Sequence, residues 1–425
     1  MSDSITDAPS SSPSSLSFSS DASAIAAFAS DHSADLSWQQ EFYRWMHKHP
    51  ELSLHEEKTA AFIAGKLEDF DCEVTTGVGG HGVVAVFSNP PASGESSTIL
   101  MRADFDALPV TEDTGLEWVS ENEGVMHACG HDAHTSALMG LCAVMDESRD
   151  KWQGTFIALF QPAEEVTRGA GMMIEDGLSE VIPTPDLCLG QHIVPGKAGT
   201  VMTAPGPVLA ACDTITVTLH GKSAHGSQPH ESLDPTYLAA MIVVRLQGIV
   251  GREVSPEDFA VITVGTLSSG HTNNTIPETA TLVLNCRFYD TSVRDKTYAA
   301  IERVIKGECI ASGCTKDPVI EFSAHGELTD NSPSVFEAVR PVFDATFGDA
   351  SIDADRWTAS EDFSEIPRHF NVPYLFWTVG ATDPQVWADG TDVPGNHSPQ
   401  FAPARGTVEA ATTAAVAAVL TYMWR

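Results

Sequence analysis

Met126-His127-Ala128-Cys129-Gly130-His131-Asp132-Ala133-His134 places three histidines, a cysteine and an aspartate within nine residues. Neutral imidazole and thiolate are natural ligands of zinc and its neighbours, so a cluster this dense points to a metal centre rather than to a packing role. Cys129 and His131 stand two apart, and in an extended or turn segment both side chains lean to one side. Asp132 is placed to orient a metal-bound imidazole from behind, as carboxylates commonly do. The fold is read outward from this cluster. Upstream, residues 83–87 and 99–102 read as short buried strands, the second delivering Asp104 and Asp106 at its carboxyl end. Downstream, the cluster leads into a helix over about 134–145. A strand at 155–160 ends in Gln161-Pro162-Ala163-Glu164-Glu165, and another at 186–189 ends in Gly190-Gln191-His192. Strands alternating with helices predict an α/β fold with a largely parallel sheet. Functional groups in such sheets gather at the carboxyl ends of the strands, where both aspartates, both glutamates and His192 would lie.

The rest of the chain frames this layer. Residues 1–34 are rich in Ser, Ala and Asp and read as a disordered acidic tail. Phe42, Trp45 and Met46 at helical spacing open the catalytic domain, which spans 35–209 and 323–425. Within it, residues 210–322 change grammar. A strand at 215–220 precedes a helix opened by Pro235, with Leu238, Ile242, Leu246 and Ile249 on one face. Strands at 260–267 and 281–288, a helix at 298–310 and a strand at 319–322 complete a βαββαβ, ferredoxin-like order. The reading is therefore of two domains, the second inserted in the first. An Ala-rich helix at about 407–424 closes the chain.

Charge and cysteine use limit the partners. With 58 acidic against 23 basic residues, the formal net charge is −35 and the pI about 4.6. Such a surface repels nucleic acid and anionic membrane, and excludes neither a small molecule nor a second copy of the chain. Acid spread along the whole chain suggests adaptation to high salt, where screening relieves self-repulsion. No window approaches the ~18 apolar residues of a membrane span. Eight cysteines without disulfide-like spacing fit a reducing compartment, and no secretory signal is apparent, so a cytoplasmic location is expected.

Glu164 and Glu165 follow a strand and a proline at the expected catalytic edge. Adjacent residues point apart, so one can ligate a metal while the other faces a water. A carboxylate beside metal-bound water is what hydrolysis needs, because the metal lowers the water's pKa towards ~7 and the carboxylate takes the proton. Cys129, His131, Glu165, His192 and His397, the last in the turn Gly395-Asn396-His397-Ser398-Pro399, make five candidate ligands. Five suffice for two divalent ions if one ligand and one water bridge them. The thiolate favours zinc or another late metal, with manganese, cobalt and nickel open.

These residues bring the chain to a known family. It resembles the M20 metallopeptidases, in particular the amidohydrolase branch that contains hippurate hydrolases and plant auxin-conjugate hydrolases. The matching stretches are His47-Lys48-His49-Pro50-Glu51-Leu52-Ser53, Met101-Arg102-Ala103-Asp104-Phe105-Asp106-Ala107-Leu108-Pro109 and the central His127–His134 cluster. Gln161-Pro162-Ala163-Glu164-Glu165, Gly221-Lys222-Ser223-Ala224-His225, Asn274-Thr275-Ile276-Pro277 and Ser360-Glu361-Asp362-Phe363 also match, in family order. The resemblance implies that the five candidates are the metal ligands, with Cys129 bridging, and that Glu164 is the general base. It also implies that the inserted domain mediates dimerisation, and that His225 and Asn274 bind the substrate's carbonyl oxygen or carboxylate. Arg287 is a candidate for the carboxylate of an amino-acid product, since its planar guanidinium donates in pairs. The expected activity is metal-dependent cleavage of N-acyl amino acids or similar conjugates. A dipeptidase or carboxypeptidase on the same scaffold, or a non-catalytic metal- or amino-acid-binding protein, are the alternatives. The Ser/Asp-rich N-terminus and the acidity depart from typical members.

Overall fold

The computed structural model describes residues 18–19, 21–33, 36–92, 96–390 and 392–425. Its first helix, α1 (Ala22–Ser33), corrects the reading of 1–34 as a disordered tail. Ile25, Phe28 and Ala29 recur at helical spacing inside an otherwise Ser/Asp-rich stretch, and all three are buried against the main core. Composition averaged over the segment hides that stripe. The remainder of the expected tail, 1–17 with 20 and 34, lies outside the described residues.

Helices α2 (Gln39–Lys48) and α3 (Glu57–Leu67) lead into the hairpin β1 (Glu73–Val78) and β2 (Gly82–Asn89). Its turn uses Gly79 and Gly80 at φ +66° and +98°, a conformation that only glycine adopts freely. Then follow β3 (Thr98–Asp104), α4 (His131–Glu147), β4 (Gly154–Gln161), α5 (Gly169–Glu175), α6 (Leu178–Val181), β5 (Leu187–Lys197) and β6 (Val201–Thr203).

The inserted module comes next. After β7 (Gly206–Leu209) it runs β8 (Ala211–His220), β9 (Ala224–His225), α7 (Pro235–Arg252), β10 (Ala260–Ser269), β11 (Thr275–Ile276), β12 (Thr279–Phe288), α8 (Thr291–Ala311) and β13 (Val319–Gly326). Asp234 and Asp290 cap the two helices by accepting from the backbone of their first turns. The strands form one antiparallel sheet in the order β10-β12-β8-β13, backed by α7 and α8 through a core of its own. Its βαββαβ order is the one read from the sequence, with each element a few residues longer.

The chain then returns through β14 (Thr329–Asn331), α9 (Pro333–Phe347), β15 (Ser351–Asp353), α10 (Glu365–Phe370), β16 (Tyr374–Thr382), α11 (Pro384–Asp389) and α12 (Thr407–Met423). The main sheet orders its strands β1-β2-β4-β3-β5-β16-β6-β15. Its centre, β4-β3-β5-β16, is parallel, and β15 pairs parallel with β6, whereas β1–β2, β2–β4 and β16–β6 pair antiparallel, so the sheet is mixed rather than largely parallel. At the β1 edge the cause is the hairpin, because a tight turn can join only antiparallel neighbours. Helices α1, α4, α9 and α12 cover one face, and α5, α6 and α10 the other. Alanines 411, 414, 415, 417 and 418 of α12 are buried, and their small side chains let that helix lie close against α4. Strand β5 runs on to Lys197, past the end expected for it, so His192 is mid-strand. Pairing between β3 and β5 nevertheless stops at Arg102 and Gly190, which leaves His192 beside the carboxyl end of β3. Among the described residues no helix is long and apolar enough to cross a membrane.

Candidate metal centre

The centre is assembled where β3, β4 and β5 hand over to α4 and to two strained turns. Gly130, at φ +92°, caps α4 and turns the chain so that Cys129 and His131 face one hollow. A side chain there would meet Ile193 and Phe401 at 3.4–3.5 Å. After β4, Ala163 and Thr167 take positive φ, and His397 does so across the hollow. Strained non-glycine residues gathered at one place are a mark of a functional site.

Hydrogen bonds settle which atoms face inward. His131 Nδ1 donates to the Asp106 carbonyl at 2.9 Å, so in the neutral, metal-ligating ring Nε2 carries the lone pair. That Nε2 is buried without a hydrogen-bond partner, 3.7 Å from Glu165 Oε1 and 3.8 Å from Glu164 Oε2. His192 Nδ1 donates to the Ile193 carbonyl at 2.9 Å, which turns Nε2 toward Cys129 Sγ at 3.4 Å. His397 Nε2 lies 3.3 Å from Glu165 Oε2, and the Glu165 N–H is held by Asp106 Oδ2 at 3.0 Å. Asp132 does not orient a ring of this cluster as expected. It grips His47 at 2.6 Å instead, and Asp106 takes the supporting position behind His131. Burial lowers the His47 pKa, but Asp132 and Glu112 outweigh it and raise it to about 9.

The donor set fits metal ions. Cys129, His131 and His192 form one trio with donor atoms within 4.8 Å of one another, Cys129, Glu165 and His397 form a second, and Cys129 belongs to both. Two buried donor atoms, His131 Nε2 and Glu165 Oε1, have no other partner. The electrostatics agree. Burial, then Glu361, Glu165 and Asp362, push the Glu164 carboxyl well above the usual range, and burial with Asp106 lifts Glu165 to about 7. Burial and Glu165 likewise hold the Cys129 thiol high. Acids crowded so that each keeps its neighbour protonated make a place that gains by receiving positive charge. Arg102, buried beneath them, offsets part of that charge by donating to Asp104, Glu361, Asp362 and Gln161 at 2.6–2.9 Å.

A cavity of about 240 Å³ opens over the cluster, its wall including Glu164, Arg287, Trp357 and Glu361. A larger one of about 680 Å³, between α2 and the start of α12, holds none of the candidate residues, so size does not locate the chemistry. The structure thus brings Cys129, His131, Glu164, Glu165, His192 and His397 together, with Arg287 on the wall. Arg287 Nη1 donates to the Thr358 carbonyl at 2.9 Å. His225 and Asn274 are not at the centre. They sit exposed on the β9–β11 ribbon, where the Gly226 N–H donates to the Asn274 carbonyl at 2.6 Å and His225 Nδ1 bonds the Ser227 hydroxyl at 2.8 Å. Trp357, whose ring is 5.2 Å from that of His192, carries no sequence signal at all. Glu361 stands inside a quoted stretch, yet only the fold reveals its approach to Glu164.

Two overlapping trios of metal-ligating atoms beside a buried carboxylate define a metal-dependent hydrolase. The chain matches the profile of Peptidase family M20/M25/M40 over residues 100–416, and it belongs to that family. It is 36% identical over 321 residues to the hippurate hydrolase of Campylobacter jejuni, covering 75% of this chain and 82% of the relative. It is 32% identical over 367 residues to thermostable carboxypeptidase 2 of Saccharolobus solfataricus, covering 86% and 90%. Among solved structures, the Bacillus subtilis YXEP protein, a dinuclear metal-binding peptidase of the M20 family, superposes with a TM-score of 0.74. It is 25% identical, with 93% of this chain and 98% of that one covered.

Proposed function

We propose that the protein is a metal-dependent amidohydrolase that cleaves the amide bond of N-acyl amino acids or similar conjugates, with Glu164 as general base. One observation carries the reading: the two trios meet at Cys129, and Glu164 lies beside them, only 6% exposed. Cys129, His131, Glu165, His192 and His397 would hold two divalent ions, zinc being favoured by the thiolate, with manganese, cobalt or nickel as alternatives. When bound, the ions polarise the scissile carbonyl and make water acidic near neutral pH. Glu164 takes the proton from water and returns it to the leaving nitrogen. Its crowded, buried surroundings make the protonated form easy to hold. Arg287 faces the product's carboxylate from the cavity wall, and Trp357 offers an apolar surface to the acyl group.

His225 and Asn274 would stabilise the developing oxyanion. Because they project from the inserted module, we assign them to the site of a second subunit in a homodimer. Eight free cysteines support a cytoplasmic location, and the −35 charge supports a requirement for salt. The identity to a carboxypeptidase keeps peptide cleavage as the second reading. A binding protein without activity would not need Glu164 where it stands. A hydrolysis screen of N-acetyl, N-benzoyl and indole-acetyl amino acids beside dipeptides, with each metal and in molar salt, decides. N-acyl amino acids should be the better substrates; cleavage of dipeptides alone overturns the assignment.

A further inference from the structure

Behind the centre, the backbone of one residue, Ile193, gathers hydrogen bonds from several of the segments that carry the candidate ligands. The Ile193 N–H donates to His134 Nε2 at 2.8 Å. That nitrogen therefore accepts, so the proton of this fully buried imidazole is on Nδ1, which donates to Asp104 Oδ1 at 2.6 Å. The Ile193 carbonyl accepts from His192 Nδ1 at 2.9 Å and from Asn396 Nδ2 at 3.0 Å. The same Asn396 nitrogen donates its other hydrogen to the Cys129 carbonyl at 3.0 Å. Two carbonyl acceptors fix the orientation of that amide, since a flip would set its oxygen against both. Next in sequence, the His397 N–H donates to the Ala128 carbonyl at 2.8 Å.

We propose that His134 and Asn396 are positioning residues that set the mutual spacing of Cys129, His192 and His397, with the backbone N–H and carbonyl of Ile193 as their common anchor. The inference rests on the reading of those three as metal ligands. Asn396 spans the Cys129 loop, β5 and the His397 turn, which are 63 to 268 positions apart in the chain. Among the described residues, no other side-chain amide holds these three segments at one point with both of its hydrogens. His134 acts on the N–H of the same residue, Ile193. It ties the peptide after His192 to Asp104, whose other oxygen is anchored by Arg102 at 2.6 Å. Supporting groups of this kind typically change metal affinity by ~10–100-fold when removed.

Substitutions at His134 separate its two bonds. Gln places an acceptor at the Nε2 position and keeps the Ile193 bond; Asn keeps only the donor toward Asp104. Cobalt(II) titration of the full chain, stripped of metal, reads the outcome through the thiolate-to-cobalt absorption of Cys129 and through chelator competition. The melting temperature of the stripped protein is followed in parallel. We expect Asn396→Asp, which opposes a carboxylate to two carbonyls, and His134→Asn to bind cobalt ~10–100-fold more weakly with an altered thiolate band. His134→Gln should bind closer to wild type than His134→Asn does. Asn396→Ser, which removes the amide without adding charge, replaces Asn396→Asp if that variant does not fold. Folded variants with wild-type affinity and spectrum, or equal losses in the two His134 variants, overturn the proposal. A wild-type protein that shows no thiolate band overturns the ligand reading beneath it instead.

Discussion

The histidines and aspartates behind the metal centre and the His225–Asn274 pair of the inserted module stand in opposite surroundings. Around the main sheet, His131 and His134 of α4 and Asp104 and Asp106 at the end of β3 are sealed from water, and each is fixed by a partner from another element. In the inserted module, His225 and Asn274 stand exposed on a two-residue ribbon held chiefly by its backbone. A buried array is positioned before substrate arrives, and displacing any member leaves another unpaired at a cost of ~1–3 kcal/mol. An exposed turn has little to lose on its own and acquires surroundings only when something docks over it. The difference teaches that the donor cluster is held in place by one half of the molecule, whereas the polar pair of the other half has no fixed surroundings of its own.

Glu164→Gln tests the buried half and should have the largest effect. It removes the proton acceptor while keeping size and hydrogen bonding, so kcat should fall by at least ~10²-fold. Metal content, measured by elemental analysis, and melting temperature should stay near wild type. Near-normal turnover in this variant would mean that the base lies elsewhere.

His225→Ala tests the exposed half, with an expected loss of ~10²-fold in kcat, the scale of one oxyanion donor. Mixing it with Glu164→Ala sharpens the comparison. If His225 serves the partner's site, a mixed dimer has one doubly broken site and one intact site, and activity returns. A mixture shown by mass to have exchanged subunits, yet still inactive, returns His225 to its own site.

The same contrast sets what could be read from the sequence. Buried parallel strands are short apolar runs, so β3, β4 and the α/β alternation were visible, and dense donor chemistry marked Cys129, His131, Glu164 and Glu165 directly. The stripe of α1 was hidden by the Ser/Asp residues around it. The central strand β16 is an apolar run, Tyr374–Thr382, with no site residue at its end to mark it. Trp357 and Asn396 reach the centre only through pairing across well over a hundred residues, which local periodicity does not encode. Asn396 also looks like an ordinary turn former. Asp132 has the right chemistry for a supporting carboxylate, but its partner, His47, lies 85 positions away.

Salt probes the surface of both halves. With 58 acidic and 23 basic residues, like charges repel across the whole exterior, and screening relieves them. Melting temperature should rise by several degrees between dilute buffer and molar salt, with the inserted module, whose own core is smaller, gaining most. Equal stability in dilute buffer would remove the halophilic reading and leave the acidity without a structural role.

The smallest effect belongs to the seam between the halves. The chain enters the inserted module on β8 and leaves it on β13, and there Asp213 pairs with His325 at 2.5 Å. Glu327 takes the other ring nitrogen at 2.7 Å, while Arg294 approaches that nitrogen at 3.4 Å and opposes the charge. The Asp213 and Glu327 hydrogen bonds raise the His325 pKa to about 10, against a partial lowering by burial. A pKa higher in the folded than in the unfolded state stabilises fully below the unfolded value, ~6.5, and the contribution is lost as pH rises through about 10. The ring is 43% exposed, so solvent screening limits the pair to no more than ~1 kcal/mol, or a shift of about 1–2 °C in melting temperature. His325→Gln should therefore melt slightly below wild type at pH 6, and the gap should close as the pH approaches 10. A gap that stays constant across that range would show that His325 holds β13 to β8 by shape rather than by charge.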